Sequence, residues 1–535
     1  MQRVTSQKNK NCSCFWTFLR RESVISGDEN IRVARRVVLA LAAALFAVAV
    51  YVLLTPPDAG SLAEWNRPVL GYKVVNLFLA FVAAVMAAIF LRIGFHKRRD
   101  GLVRGLRRFI VCFVSCVIFL VIFDVILAAN PSLQVSYVDR YVLWPNGNPG
   151  LLEDETFGYL GKPGFVTSGF FDPGKDGDLV LWMRPERMEE TGENGFSTQV
   201  ALDSNGFLNP AVPEKADMLI VGDSFSVGSY VPAGKHWVHI IKSRQKNTVY
   251  NIAMPGWGTW REYLALEKFG LRREPNLVLW AFFEGNDIED VRDFEEFKKF
   301  QEESGLDYID FIIHKRPYLP PRRFPYGRPV FRLLLHFGKL CNPDPVSINE
   351  DVKAFNPVFL SAGGIKKPHA ILPGDFCQMS MPQDILSGWS CWQITKTLLM
   401  KAIDRTRSKG GRFVLILFPS KNRVYFPLIE EQVDKDSLYR AALPYFPEGR
   451  RAGSPDDLFR EIRRNKSNVS NLLEEICRRK SVPFIDTTEV LTEATMRGEF
   501  PYWCYDNHLN QKGNELVAEL ILKRLREEGF ISPED

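Results

Sequence analysis

Two features of the sequence predict a three-layer α/β domain with a mainly parallel sheet, preceded by three transmembrane helices. From residue 216 onward, short unbroken runs of Val, Ile, Leu and Phe alternate with amphipathic stretches. That is the pattern of strands covered on both faces by crossover helices. Before residue 130 stand three long apolar runs, close to the ~20 residues that span a bilayer. The chain has 535 residues and is 46% hydrophobic, which excludes wholesale disorder and a collagen-like repeat.

The apolar runs cover residues 37–54, 74–91 and 109–129, and the only carboxylate within them, Asp124, falls near the end of the third. Eight Lys or Arg precede the first run, including Arg32, Arg35 and Arg36, while the 55–69 loop holds only Arg67 and the 92–108 loop holds seven. Short basic loops stay in the cytoplasm, so the N-terminal tail 1–36 and the second loop are expected there. Three spans then put residues 130 onward outside the cytoplasm, anchored to the cell membrane by a multi-pass domain, 37–129. Pro56-Pro57 follows the first run without a small-residue cleavage site, so a removable signal peptide is the lesser expectation.

Residues 1–129 carry 17 Lys plus Arg against 7 Asp plus Glu, and the remainder carries 51 against 56. A nucleic-acid binder concentrates its basic residues on the folded domain, and this chain does the reverse. No nucleic-acid partner is expected. The nine cysteines show no CxxC and no Cys/His cluster, so neither a metal nor another cofactor is expected. Cys377 and Cys391 could bridge, with unpaired buried thiols an equal alternative.

Strands are expected at 218–221, 248–253, 276–283, 413–418 and 483–486, with helices at 259–269, 391–408 and 455–480. They make up a catalytic domain over 216–535. Residues 130–215, rich in Gly, Pro and aromatics, read as an irregular lead-in packed on it. A stretch at about 290–390 is too long for a crossover and forms either a wall beside the site or a decoration.

Functional loops gather at the carboxyl ends of strands in such sheets. The first strand is followed by Gly222-Asp223-Ser224, the second by residues 251–258 (NIAMPGWG), the third by Glu284-Gly285-Asn286-Asp287; Asp506-Asn507-His508 stands near the C-terminus. A serine nucleophile needs a base, an acid that fixes the imidazole tautomer, and donors for the oxyanion. Ser224, His508 and Asp506 fill the first three roles. The N–H groups of Ser224 and Gly256 and the Asn286 amide fill the last. Asp486, ending the fifth strand, is the rival acid. The alternatives for other residues are plain ones: His236 and His239 as packing rather than metal ligands, Asp223, Glu284 and Asp287 as loop supports, Trp257 and Trp260 as core.

These four blocks, in this order, resemble the SGNH/GDSL hydrolases over roughly residues 203–535, beginning at the lead-in DSNGFLN of 203–209. The resemblance implies Ser224 as nucleophile and first oxyanion donor, Gly256 and Asn286 as the other donors, His508 as base and Asp506 as its partner. One residue, Asn507, separates Asp506 from His508, where most members have two. That spacing is similar to the alginate-type O-acetyltransferases, in which the pair precedes the serine.

The expected function is a membrane-anchored, extracytoplasmic serine esterase working through an acyl-enzyme, with de-O-acetylation of a carbohydrate as its reaction. An O-acetyltransferase acting on an envelope or exported polysaccharide is the alternative. A non-catalytic polysaccharide-assembly protein that retains the fold, with assembly proteins as partners, is a third reading.

Overall fold

The computed structural model describes residues 28–54, 85–93, 99–129, 150–306 and 357–532, apart from gaps at 155, 181–187, 229 and 447–451. It also describes two paired dipeptides, Pro68–Val69 and Tyr72–Lys73, and residues 95 and 311. Most of the N-terminal tail 1–36, more than half of the second apolar run and the middle of the 290–390 stretch lie outside the described residues.

The chain divides into two units, one holding the helices up to residue 129 and the other everything described from residue 150. In the first unit the outer two apolar runs are helical, within Asp28–Leu54 and Arg99–Ala129. Val38 and Ile93 are buried there against Phe90, Leu106 and Phe109. Among the described residues one helix, Val103–Ile126, is long and apolar enough to cross a membrane. Its Phe113, Phe119 and Val121 are more than half exposed.

The second unit is built on a five-stranded sheet: β1 (Met218–Val221), β2 (Val249–Asn251), β3 (Leu277–Phe283), β4 (Arg412–Phe418) and β5 (Phe484–Asp486). All pairs are parallel and the spatial order is 2-1-3-4-5. Every residue of β1 and nearly all of β3 and β4 are buried, as unbroken apolar runs require of strands covered on both faces.

Right-handed crossovers sort the helices into two layers. The short α1 (Ser224–Val227) follows β1. On one face α2 (Trp237–Arg244) packs on the closing helix, and on the other α3 (Thr259–Ala265) packs on α4 (Ser390–Ser408). After β4 come α5 (Lys421–Gln432), α6 (Pro455–Asn465) and α7 (Asn468–Lys480); α8 (Thr488–Met496) and α9 (Gln511–Glu527) follow β5. The apolar recurrence at Val517, Ile521 and Leu525 is the buried face of α9.

Two departures from the expected elements have local causes. Strand β2 stops at Asn251 because the Asn251 side chain accepts the Ala253 N–H at 3.1 Å and turns the chain. The helix expected at 455–480 breaks between α6 and α7, where the side chains of Asn465 and Asn468 donate to the carbonyls of Ser380 and Met381.

The lead-in contains two antiparallel hairpins, Leu151–Asp154 with Gly158–Gly161 and Val166–Phe171 with Phe196–Ala201. It approaches the α/β domain closely at Gly177, where a Cβ would stand 2.3 Å from the Tyr505 carbonyl oxygen. Cys377 and Cys391 are free thiols.

Candidate active site

At the end of β1, Asp223 caps α1 by accepting the Phe225 N–H at 2.9 Å. The cap orients the turn so that Ser224, half-buried, is the first residue of the helix. Burial pushes the Asp223 carboxyl up to about 6.

The second loop is tied to the first. Met254 N–H donates to Gly222 O at 3.2 Å, and Asn251 Nδ2 donates to Ser226 O at 2.7 Å. Gly256 lies exposed on this loop with φ 69°, a left-handed conformation that favours glycine. The lead-in braces it, since the Tyr159 hydroxyl donates to Pro255 O at 2.6 Å. Trp257 and Trp260 are fully buried, in the core.

On the third loop Asp287 accepts the Phe283 N–H at 2.8 Å, and Thr259 Oγ1 donates to Asp287 O at 3.2 Å. Asn286 donates one amide hydrogen to Asp290 at 3.1 Å, which leaves the second hydrogen for another acceptor. Glu284 faces away into a buried ion pair with Arg423 and also accepts the Ser420 N–H at 2.8 Å. The 290–390 stretch supports this loop from its far end, where Gln378 donates to Glu284 O at 2.8 Å.

The fourth loop is a tight turn in which Tyr502 pairs with Leu509. His508 Nδ1 donates to Asp506 Oδ1 at 2.6 Å, and the same oxygen accepts the His508 main-chain N–H at 2.7 Å. Residues 506–508 bend, and the Asp506 carboxylate reaches back to the His508 N–H in an Asx-type turn, which brings the two side chains together across a single intervening residue. Asp506 is 0% exposed and His508 8%. Burial opposes the imidazolium, but the charge and hydrogen bond of Asp506 outweigh it and raise His508 to about 9. Burial likewise opposes the carboxylate, yet His508 holds Asp506 below the usual carboxylate range.

The His508 ring stacks on Tyr230, with centroids 3.8 Å apart and planes 7° from parallel, and stands 5.2 Å from the ring of Phe225, the residue after Ser224. Among the described residues no hydrogen bond joins Ser224 Oγ to His508; without substrate such bonds are commonly loose. Asp486 accepts the Thr488 N–H at 2.8 Å and lies 3.6 Å from Arg423, engaged away from the imidazole. His236 caps α2 and contacts Phe225 O at 3.1 Å, so it is a packed residue of the core.

Three neighbours of this pair carried no signal in the motifs. Asp178, in the lead-in, donates its N–H to Asp506 Oδ2 and accepts the Asn507 N–H, both at 2.9 Å. Donor atoms of Asp178, Asp506 and His508 lie within 4.8 Å of one another, a spacing a metal ion could use. Both Asp506 oxygens are already taken by N–H donors, which fits a hydrogen-bonded pair better than a ligand set. Tyr230 is reached only through the fold. Lys421, just beyond β4, stands at the carboxyl end of a strand, and extending the same rule to the fourth strand would have found it.

An all-parallel sheet with helices on both faces and these loops at its carboxyl edge defines a three-layer α/β fold. Solved structures similar to the chain include an acetyl xylan esterase at 9% identity and TM-score 0.27, covering 58% of this chain and 98% of that one. A catalytic mutant of an acetylxylan esterase from Geobacillus stearothermophilus matches at 10% identity and TM-score 0.28, covering 60% and 99%. An extracellular lipase from Streptomyces rimosus matches at 11% and 0.28, covering 58% and 99%. No protein-family model and no curated protein matches the chain.

Proposed function

We propose that the chain is a serine esterase whose nucleophile is Ser224, base His508 and orienting acid Asp506. The observation that carries this reading is the 2.6 Å Asp506–His508 pair beside the α1 turn that bears Ser224. Ser224 Oγ attacks the ester carbonyl as His508 takes its proton, and Asp506 stabilises the imidazolium. The N–H groups of Ser224 and Gly256 and the free amide hydrogen of Asn286 meet the oxyanion. Collapse expels the alcohol, protonated by His508, and leaves an acyl-Ser224 that a second nucleophile releases.

We further propose that three spans, at 37–54, 74–91 and 109–129, anchor this domain outside the cytoplasm, where its substrate is an O-acetylated carbohydrate. The asymmetry of Lys and Arg between the loops supports the orientation. Water as the second nucleophile makes a hydrolase, and a sugar hydroxyl makes an O-acetyltransferase.

The test uses the full chain in detergent. Labelling of Ser224 by a fluorophosphonate is expected, and its absence would remove the enzyme reading in favour of a binding module. Product analysis with acetylated glycans, with and without a sugar acceptor, is expected to yield free acetate in both. Acetylated acceptor would assign transfer instead.

A further inference from the structure

Lys421 opens α5, capped by Ser420, yet its side chain is only 1% exposed. Lysines are almost never fully buried unless their charge is paired. No ion pair of Lys421 is present among the described residues; its ammonium donates instead to the carbonyls of Trp503 and Cys504, both at 2.8 Å, and of Asp506 at 3.3 Å. Its three hydrogens thus meet three acceptors on the loop that carries Asp506 and precedes His508 by two residues. On the same loop, Glu193 of the lead-in accepts the Cys504 N–H with both oxygens at 3.1 Å. A buried cation on the carbonyls and a carboxylate on the amide hold the main chain between them.

We infer that Lys421 is a positioning residue, whose charged ammonium sets the course of residues 503–506 and so holds the Asp506–His508 pair against Ser224. The inference rests on the esterase reading above. Its physical basis is the count of donors, because a neutral amine has two hydrogens for three carbonyls and a weaker hold on each.

Burial lowers Lys421 to about 8, with Cys504, Glu193, Asp178 and Asp506 drawing it back up. Lys367 and the buried His369 of the neighbouring hairpin also face this region. As pH rises through about 8, the loop loses its third hydrogen bond and the local positive charge.

The experiment compares full-length wild type with Lys421→Gln and Lys421→Arg, measuring kcat and KM for p-nitrophenyl acetate from about pH 6 to about 10. Hydrogen exchange of the 502–509 peptide is followed in parallel. Lys421→Gln is expected to lose roughly 10 to 100-fold in kcat with little change in KM, as misplacement of a catalytic pair predicts. Its profile should lack the alkaline decline of wild type, and its 502–509 amides should exchange faster. Lys421→Arg keeps its charge at high pH, so it should recover part of the kcat without the alkaline decline. Wild-type kcat, alkaline limb and exchange rates in Lys421→Gln would overturn the assignment. A wild type that neither turns over nor labels with fluorophosphonate would sink the esterase reading instead. The exchange of residues 502–509 would then still decide the role of Lys421.

Discussion

The main-chain N–H of Asp178 donates to the Asp506 carboxylate at 2.9 Å, although 328 positions separate the two residues. The lead-in therefore supports part of the loop that carries Asp506 and His508, and Gly177 makes the approach sterically feasible. The Asp178 carboxyl is also one of the negative charges that raise His508.

That charge gives the first prediction. His508 must be neutral to act as base, so the acid limb follows the imidazolium at about 9. It overlaps the alkaline decline that begins as Lys421 deprotonates at about 8, which makes the wild-type optimum narrow. Asp178→Asn removes one stabilising charge, which lowers His508 and moves the acid limb of kcat/KM to lower pH. Asp506→Asn should move it further and also depress the plateau. An unmoved limb in Asp178→Asn would show that its carboxylate does not act on the imidazole.

The triad is the second. Ser224→Ala and His508→Ala should each abolish nearly all turnover, and the double mutant should be scarcely worse than either, because they act as one unit. Asp506→Asn should cost orders of magnitude, since an amide cannot fix the tautomer or stabilise the cation. Asp486→Asn should leave kcat near wild type; the opposite ranking of the two Asp→Asn variants would move the acid to β5.

The third concerns the oxyanion. Asn286→Ala should lower kcat by about 100 to 1,000-fold, ~3 to 4 kcal/mol, with the fold intact. Asp290→Ala, which frees the Asn286 amide to rotate, should cost less. A threefold or smaller change in Asn286→Ala, measured with single-turnover kinetics, would assign the donor elsewhere.

Topology supplies the fourth. A reporter fused after residue 135 should be active only outside the cytoplasm. Replacing the seven basic residues of the 92–108 loop should disturb that orientation. Cytoplasmic activity of the unaltered fusion would remove both the three-span count and the envelope substrate.

The sheet was legible because its strands are fully buried: the unbroken apolar runs at 218–221 and 276–283 coincide with β1 and β3 to within a residue. The candidate site was legible where chemistry sits on a strand end, as for Ser224 and Asn286. The lead-in reads as irregular in sequence because its strands are only four to six residues long, and Val166–Phe171 is almost wholly exposed, so it shows no buried face to read. The contacts of Asp178 and Tyr230 with the site depend on tertiary approach, which no local spacing encodes.

Glu262 of α3 is 0% exposed, and the Trp280 indole lies beside its carboxyl. Burial raises it well above the usual carboxylate range, and nearby Asp223 raises it further; Asp287 is raised in the same way. A carboxyl whose folded value is raised holds its proton more tightly in the folded state. Its stabilising effect is present below its unfolded value, ~4.3, and is lost as pH climbs from there toward the raised folded value. As pH climbs above ~4.3 the unfolded chain gains from ionising Glu262 before the folded chain does. Glu262→Gln removes that gain while keeping the shape, and it also removes the charge that Glu262 and the buried Asp223 and Asp287 impose on one another. The variant should therefore gain stability relative to wild type as pH rises from about 4 to about 8, with the difference smallest near pH 4. Denaturant titrations at the two pH values measure both quantities. Equal destabilisation at pH 4 and pH 8 would mean that the carboxyl makes a pH-independent packing contribution and that its ionisation does not limit the stability of the fold.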